Sequence, residues 1–241
     1  MYKSEDLALV RKSWFRLANI SAKAVGWRLE DCVDTEPDVI NATKSWLSKL
    51  KNGQIIRAYG NNLCGKGLLF YGNSGGGKST LASAILQEAI TRFPLESFNV
   101  STPILARPVY FTSYVNLVAL KGTLISNDFE DKDYKLWHGV IGDAGDDAFN
   151  IRLLVIDDVA KEHNSLSGWE KNVLHEILRN RYEKGLPTIV TTNLLPKDWE
   201  DVYGPATRSF IEESFLHLQI KSARGDLRLT HVKPSTHSGV S

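Results

Sequence analysis

The sequence contains few cysteines and no long apolar run. Its two cysteines, Cys32 and Cys64, do not form a Cys-x-x-C pair, so a disulfide framework or a structural zinc site is not expected. No apolar stretch approaches the roughly 20 residues that a membrane-spanning helix needs, and the N-terminus lacks the form of a signal peptide. We therefore expect a cytoplasmic protein without a membrane partner, in which both cysteines are packing residues.

The sequence also lacks an excess of charge of either sign. Its 241 residues include 29 Lys and Arg and 28 Asp and Glu, which gives a formal net charge of +1. Any contact with DNA would then need a local basic cluster or the summed charge of several subunits. The length, with 42% hydrophobic residues, predicts one sizeable α/β domain with a small appendage.

What the sequence does contain is a glycine-rich run between an apolar stretch and a helical pattern. The run fits the phosphate-binding pattern G-x-x-x-x-G-K-[ST]. It consists of Gly72, Asn73, Ser74, Gly75, Gly76, Gly77, Lys78, Ser79 and Thr80. Consecutive glycines let backbone N–H groups turn toward one point, and the N-terminus of the following helix favours an anion. We expect Lys78 to reach the β- and γ-phosphates of ATP and the Ser79 hydroxyl to ligate Mg²⁺.

Two further apolar runs end in polar side chains. Residues 151–156 are followed by Asp157 and Asp158, and we expect this strand to be covered on both faces and to lie beside the strand of the glycine loop. Asp157 would hold Mg²⁺, in part through water, and Asp158 would polarise the attacking water. A strand over residues 187–192 ends in Asn193, which could hold that water or touch the γ-phosphate.

The N-terminal segment shows a helical pattern of its own. Residues 4–25 carry a seam at steps of three and four, which predicts one amphipathic helix with a polar break at Ser21. The seam consists of Leu7, Val10, Trp14, Leu17, Ser21 and Ala24. Two interpretations remain open: the helix folds back on its own domain, or it docks on a partner.

The alternation of strands and helices predicts an α/β fold with a mostly parallel sheet flanked by helices. The order of glycine loop, Asp-Asp strand and Asn-terminated strand resembles that of AAA+ ATPases of the P-loop NTPase class. Within them the chain is similar to DnaC-type helicase loaders of bacteria and phages, and to the related IstB-type transposition helper ATPases. The stretch 178–188, leading into Thr191, Thr192 and Asn193, carries this closer likeness.

The resemblance covers residues 38–230 and implies a domain organisation. Residues 1–36 would form an N-terminal helix and linker that is a candidate for partner docking, residues 37–230 the AAA+ ATPase core, and residues 231–241 a disordered tail. The short stretch after Asn193 leaves little chain for a helical lid, so the lid domain would be reduced or absent.

The resemblance further implies a ring or spiral of subunits that forms with nucleotide, in which an arginine of one subunit completes the site of its neighbour. Arg208, which follows Gly204, is the candidate for this arginine. Arg181 is a second candidate for an intersubunit or γ-phosphate role, and Arg224 and Arg228 resemble the C-terminal arginine region of the family.

The partners implied by a helicase loader are a replicative helicase and single-stranded DNA. Candidate contributors to a DNA site are Lys121, Lys132, Lys135 and Lys161, although acidic neighbours between residues 126 and 147 argue against a strong site there.

Three alternatives remain. A transposition helper would instead bind duplex DNA and a transposase. A small-molecule kinase or a nucleotide-gated interaction protein could use the same loop, but the paired acids and Asn193 fit hydrolysis better.

Overall fold

The structure is a computed structural model that describes residues 4–52, 54–56, 63–92, 105–126, 128–146, 149–160 and 168–221. The elements in chain order are α1 (Ser4–Leu17), α2 (Pro37–Lys51), β1 (Gly67–Tyr71), α3 (Lys78–Arg92), β2 (Val109–Ser113), α4 (Tyr114–Ile125), α5 (Asp131–Ile141), β3 (Leu153–Val159), α6 (Gly168–Glu183), β4 (Thr188–Thr192), α7 (Trp199–Tyr203), α8 (Pro205–Ser214) and β5 (Phe215–Gln219). Short 3-10 turns occupy Leu29–Asp31 and Pro196–Asp198. No helix in these ranges is long and apolar enough to cross a bilayer.

The sheet has five parallel strands in the order β2-β3-β4-β1-β5. The expectation that the acidic strand lies beside the strand of the glycine loop is therefore wrong, because β4 separates β3 from β1. The two motifs still lie near each other, since parallel strands end at the same edge of the sheet. Tyr71 of β1 and Val159 of β3 are both in register with Thr192 of β4.

Helices cover both faces of the sheet, so the side chains along each strand are buried alternately in two layers. On one face α1, α2 and α3 pack against side chains such as Leu68 and Phe70 of β1. On the other face α4 to α8 pack against side chains such as Leu69. Successive residues of a strand point to opposite faces, which explains why β1 is apolar at every central position.

Helix α1 is shorter than predicted and packs on its own domain. It ends at Leu17, because the chain turns at Ala18 and Asn19, where Asn19 has φ 58. The Phe111 N–H donates to the Ala18 carbonyl at 2.8 Å, and Asn19 Nδ2 donates to the Phe111 carbonyl at 2.8 Å. Trp14 has no exposed surface and belongs to the same buried cluster as α3. The structure thus supports the first of the two interpretations of this helix.

A buried glutamine fixes the chain that follows α1. Gln87 of α3 accepts the Gly26 N–H at 2.8 Å and donates to the carbonyls of Ala24 at 2.9 Å and Trp27 at 3.3 Å. The segment between α1 and α2 is therefore held against the helix that begins at the glycine loop. The predicted tail, residues 231–241, lies outside the described residues.

Candidate nucleotide-binding site

The glycine-rich run forms a tight bend between β1 and α3. Gly72, Gly75 and Gly77 have φ angles of 140, 80 and 86, a region that other residues rarely adopt. A Cβ atom on Gly72 would lie 2.2 Å from the Ile220 carbonyl oxygen. Glycine is thus required at Gly72 both for its φ and for the close approach of the chain after β5. The remaining residues of the motif, Asn73, Ser74, Gly76 and Thr80, lie in the bend or in the first turn of α3.

Lys78, the first residue of α3, directs its ammonium group into this bend. Only 5% of the residue is exposed. Its Nζ donates to the carbonyls of Gly72 at 2.9 Å and Asn73 at 2.7 Å, and to Oδ1 of Asn193 at 2.8 Å. The structure therefore brings together the lysine of the glycine loop and the amide that follows β4, as required if both contact one phosphate.

Ser79 and Asp157 form the second contact of the site. The Ser79 hydroxyl donates to Asp157 Oδ1 at 2.7 Å, and the Thr191 hydroxyl donates to the same oxygen at 2.5 Å. Burial raises the pKa of Asp157 above its usual value. The hydrogen bonds from Thr191 and Ser79 oppose this shift, the charge of Asp158 adds to it, and that of Lys78 opposes it.

This donor set fits Mg²⁺. A hydroxyl and a carboxylate lie together beside the lysine, and Mg²⁺ is usually bound by one or two carboxylates, waters and substrate phosphates. No group of three His, Cys, Asp or Glu side chains in the described ranges could form an all-protein metal site. The residues that could hold the ion are therefore Ser79 and Asp157.

Asp158 lies in a β-bulge. The pairing of β3 with β4 passes from Ile156 opposite Val190 to Val159 opposite Thr192, so β3 has one more residue than β4 in this interval. Asp158 has φ 57, in the left-handed region that Asp tolerates better than most residues. Bulges next to active sites re-aim side chains, and this bulge contains both acids of the sequence motif.

Solved structures share this arrangement of elements. A proposed primosome component from Streptococcus pyogenes serotype M3 is 17% identical, with a TM-score of 0.54 over 90% of this chain and 97% of that one. The chain has the AAA+ fold. DnaI is 19% identical, with a TM-score of 0.54 over 84% of this chain and 92% of that one. A DnaA structure bound to AMPPCP and single-stranded DNA is 15% identical, with a TM-score of 0.58 over 90% of this chain but 58% of that one.

No protein-family model and no curated protein matches the sequence. At these identities the structural likeness shows the AAA+ fold alone, and the function has to be argued from the site.

The arginine expected to act across an AAA+ subunit interface lies on the surface. Arg208, in the first turn of α8, donates to Glu200 at 2.8 Å and to Glu212 at 3.1 Å, and its side chain is 39% exposed. Hydrogen bonds to Glu212 and then Glu200 raise the pKa of Arg208. Its role across an interface stays a prediction. Arg224 and Arg228 lie outside the described residues.

Arg181 does not belong to the site. It has no exposed surface. Its guanidinium donates to Thr188 Oγ1 at 2.9 Å and to the carbonyls of Val140 at 2.7 Å, Ile151 at 3.0 Å, Pro187 at 3.0 Å and Arg152 at 3.5 Å. These groups lie at or just before the starts of β3 and β4 or in the last turn of α5, at the edge of the sheet opposite the glycine loop. The prediction of an intersubunit or γ-phosphate role is wrong, because the whole side chain is enclosed by its own subunit.

The lysines considered for DNA contact are engaged with acids. Lys121 pairs with Glu176 at 3.0 Å, Lys132 with Glu130 at 2.7 Å and Lys135 with Asp131 at 2.5 Å. Lys121 also lies over the Trp137 ring, 4.5 Å from its centre. These three positions therefore form no free basic patch, and Lys161 lies outside the described residues.

Thr191 and Thr192, which precede Asn193, carry part of the family likeness, but no role in the site was predicted for them. Both Thr191 and Thr192 are fully buried, and both hydroxyls bond to the chain around the acids. The sequence itself indicates such a role, because two adjacent hydroxyl residues at the end of a buried apolar strand need hydrogen-bond partners.

Proposed function

We propose that this chain is an oligomeric DNA-replication factor that binds and hydrolyses ATP, and that it acts as a helicase loader. The proposal of ATPase activity rests on one observation: two side-chain contacts lie together at one edge of the sheet. Lys78 contacts Asn193, and Ser79 contacts Asp157. These residues come from distant parts of the sequence, and their types are those that a triphosphate and a hydrolytic water require.

Each residue has a defined part in this proposal. Lys78 would exchange the carbonyls of the bend for oxygens of the β- and γ-phosphates. Ser79 and Asp157 would hold Mg²⁺, which supplies positive charge to the phosphates when bound. Asp158 would polarise a water that attacks the γ-phosphorus while ADP leaves, and Asn193 would orient that water.

A variant series tests the ATPase. In Lys78→Met, ATP binding measured by calorimetry should be lost, whereas Lys66→Met is a matched control, because Lys66 precedes β1 at the far end of the strand and donates to the Glu213 carbonyl. Asp158→Asn keeps a residue that tolerates φ 57. It should bind ATP normally and release phosphate about 100-fold more slowly or worse.

The series also separates the alternatives. Phosphate release without any added acceptor argues against a kinase. ATP binding without turnover in the wild type would favour a nucleotide-gated interaction protein. Equal ATP affinity in Lys78→Met and Lys66→Met would contradict the proposed site.

Arg208 can be tested by mixing subunits. Arg208→Ala and Asp158→Asn proteins should each be inactive alone. A mixture should regain activity, because an intact acid of one subunit then faces an intact arginine of another. Arg179→Ala is the control, since Arg179 is an exposed arginine of α6. A mixture that stays inactive while the wild type is an active oligomer would contradict Arg208 as the trans-acting arginine.

The replication part rests on the likeness to DnaI and to the primosome component, which this chain matches over 92% and 97% of their lengths. We expect nucleotide-dependent binding of a replicative helicase in a pull-down, and binding of single-stranded DNA by fluorescence anisotropy. Capture of a transposase and binding of duplex DNA instead would favour the transposition helper.

A further inference from the structure

One buried hydroxyl at the end of β4 contacts both acids of the site. Thr191 has no exposed surface. Its Oγ1 donates to Asp157 Oδ1 at 2.5 Å and accepts the Asp158 N–H at 3.0 Å. A hydroxyl has one proton to donate and can accept as well, so both contacts are made at once by the same atom.

The bulge explains why such a hydroxyl is needed. The register pairs neither Asp157 nor Asp158 with a residue of β4, and Asp158 is held at φ 57. A left-handed residue persists only where its surroundings fix it. The Thr191 oxygen lies where the regular ladder is interrupted, and it offers the Asp158 amide an acceptor there.

The carboxylate contact has a different consequence. Asp157 Oδ1 accepts from Ser79 as well as from Thr191. Ser79 is itself a proposed Mg²⁺ ligand, so its bond to the carboxylate would change when the ion binds. Thr191 is not a proposed Mg²⁺ ligand, so its bond to the carboxylate can persist when the ion binds. The short length of this bond is typical of a hydroxyl donating to a charged oxygen.

The neighbouring threonine connects the same turn to Asn193. Thr192 Oγ1 donates to the Val159 carbonyl at 2.7 Å and accepts the Leu194 N–H at 3.0 Å. The two contacts of Thr192 therefore fix the chain on either side of Asn193 against the chain that follows the acids.

From these contacts we infer that Thr191 is a positioning residue of the ATPase site. Its single hydroxyl orients the Asp157 carboxylate and fixes the backbone of Asp158. The inference rests on the proposed function, since orientation of the acids matters only if they act on nucleotide. Partners that orient a metal-binding carboxylate typically change metal affinity or activity by about 10- to 100-fold when removed.

Three variants of one strand test this inference. Thr191→Val removes the hydroxyl with little change of shape, and Thr191→Ser keeps it. Thr188→Val is the matched control, because Thr188 lies on the same strand with 3% exposure and its hydroxyl bonds to Arg181 at the opposite end. The measurements are kcat and KM for phosphate release, ATP affinity with and without Mg²⁺, and exchange of the Asp158 amide by NMR.

We expect Thr191→Val to lower kcat by about 10- to 100-fold and to reduce the gain in ATP affinity that Mg²⁺ provides. Affinity without Mg²⁺ should stay at the wild-type value, and the Asp158 amide should exchange faster. Thr191→Ser should restore most of the loss, and Thr188→Val should behave as the wild type in every one of these measurements.

Several outcomes would overturn the inference. Wild-type kcat and Mg²⁺ dependence in Thr191→Val would do so, as would a serine variant as impaired as the valine variant, or an equally impaired Thr188→Val. If Thr191→Val does not fold, the wild-type protein still tests the inference. Rapid exchange of its Asp158 amide would overturn it. A wild type that binds no ATP contradicts the proposed function instead, and the two failures are thereby distinguished.

Discussion

Replacement of Arg181 by methionine should destabilise the fold without weakening nucleotide binding. The buried guanidinium joins the C-terminal end of α5 to the chain before β3 and β4. Burial lowers the pKa of Arg181 to about 9, so the side chain is charged at neutral pH. Methionine is similarly long and unbranched, and it fills much of the space but donates no hydrogen bond.

The expected magnitude follows from the acceptors that lose their donor. The carbonyls of Val140, Ile151 and Pro187 lie within 3.0 Å of the guanidinium, and each unpaired buried carbonyl costs about 1–3 kcal/mol. Part of this loss is offset, because a cation no longer has to be buried, which costs several kcal/mol. We therefore expect a net loss of about 2–3 kcal/mol in the free energy of unfolding.

Urea unfolding, followed by tryptophan fluorescence and circular dichroism, measures this loss. The midpoint should fall by about 1 M or more. Arg179→Met is the control, because Arg179 is exposed on the same helix, where it donates to His175 and lies over the Phe210 ring, and it should change stability by about 1 kcal/mol or less. An unchanged midpoint together with a lost affinity for ATP would refute the reasoning and restore the γ-phosphate role of Arg181.

Further predictions concern the N-terminal helix, the glycine bend and a cysteine. Trp14→Ala should cost about 3–5 kcal/mol, whereas Leu9→Ala, at a position 57% exposed, should be close to neutral in the same urea titration; equal effects would contradict the packing of α1. Gly72→Ala should abolish ATP binding in calorimetry, because its Cβ would meet the Ile220 carbonyl, while Gly145→Ala, with nothing within 4 Å, should bind as the wild type. Burial, with the charge of Asp31, raises the pKa of Cys32 to about 12, so a thiol reagent at pH 8 should modify it in a Cys64→Ser background only after unfolding; rapid labelling of the native protein would show that it is accessible.

Elements with an unbroken local pattern could be predicted closely from the sequence. The helical pattern after the glycine loop is α3, and the strand expected over residues 187–192 is β4 (Thr188–Thr192), because glycine or turn residues bound each pattern. The end of α1 could not be predicted, since the seam continues through Ser21 and Ala24. The chain leaves the helix at Asn19 because β2 offers it an edge to bond.

Strand order and the burial of single side chains could not be predicted from the sequence, because both depend on contacts between distant parts of the chain. The place of β4 between β1 and β3 depends on how the connecting helices cross the sheet. Lys78, Ser79 and Asp157 could be named as candidates because the spacing within their motifs is local, and the structure brings them together. Arg181 was misjudged because an arginine at a helix end looks the same whether it is exposed or enclosed. No role was predicted for Thr191 because threonine is common in any strand.

The bonds from Phe111 to Ala18 and Asn19 bear on how copies of this chain can associate. An uncovered outer strand is a template for pairing with another chain, and here Ala18 and Asn19 bond to the outer edge of β2 at Phe111. A shortened protein beginning after them would lose this protection, and we expect it to aggregate through the uncovered backbone. In the intact chain the backbone of Phe111 is already bonded, so we expect strand pairing with another copy to be disfavoured at this point of β2.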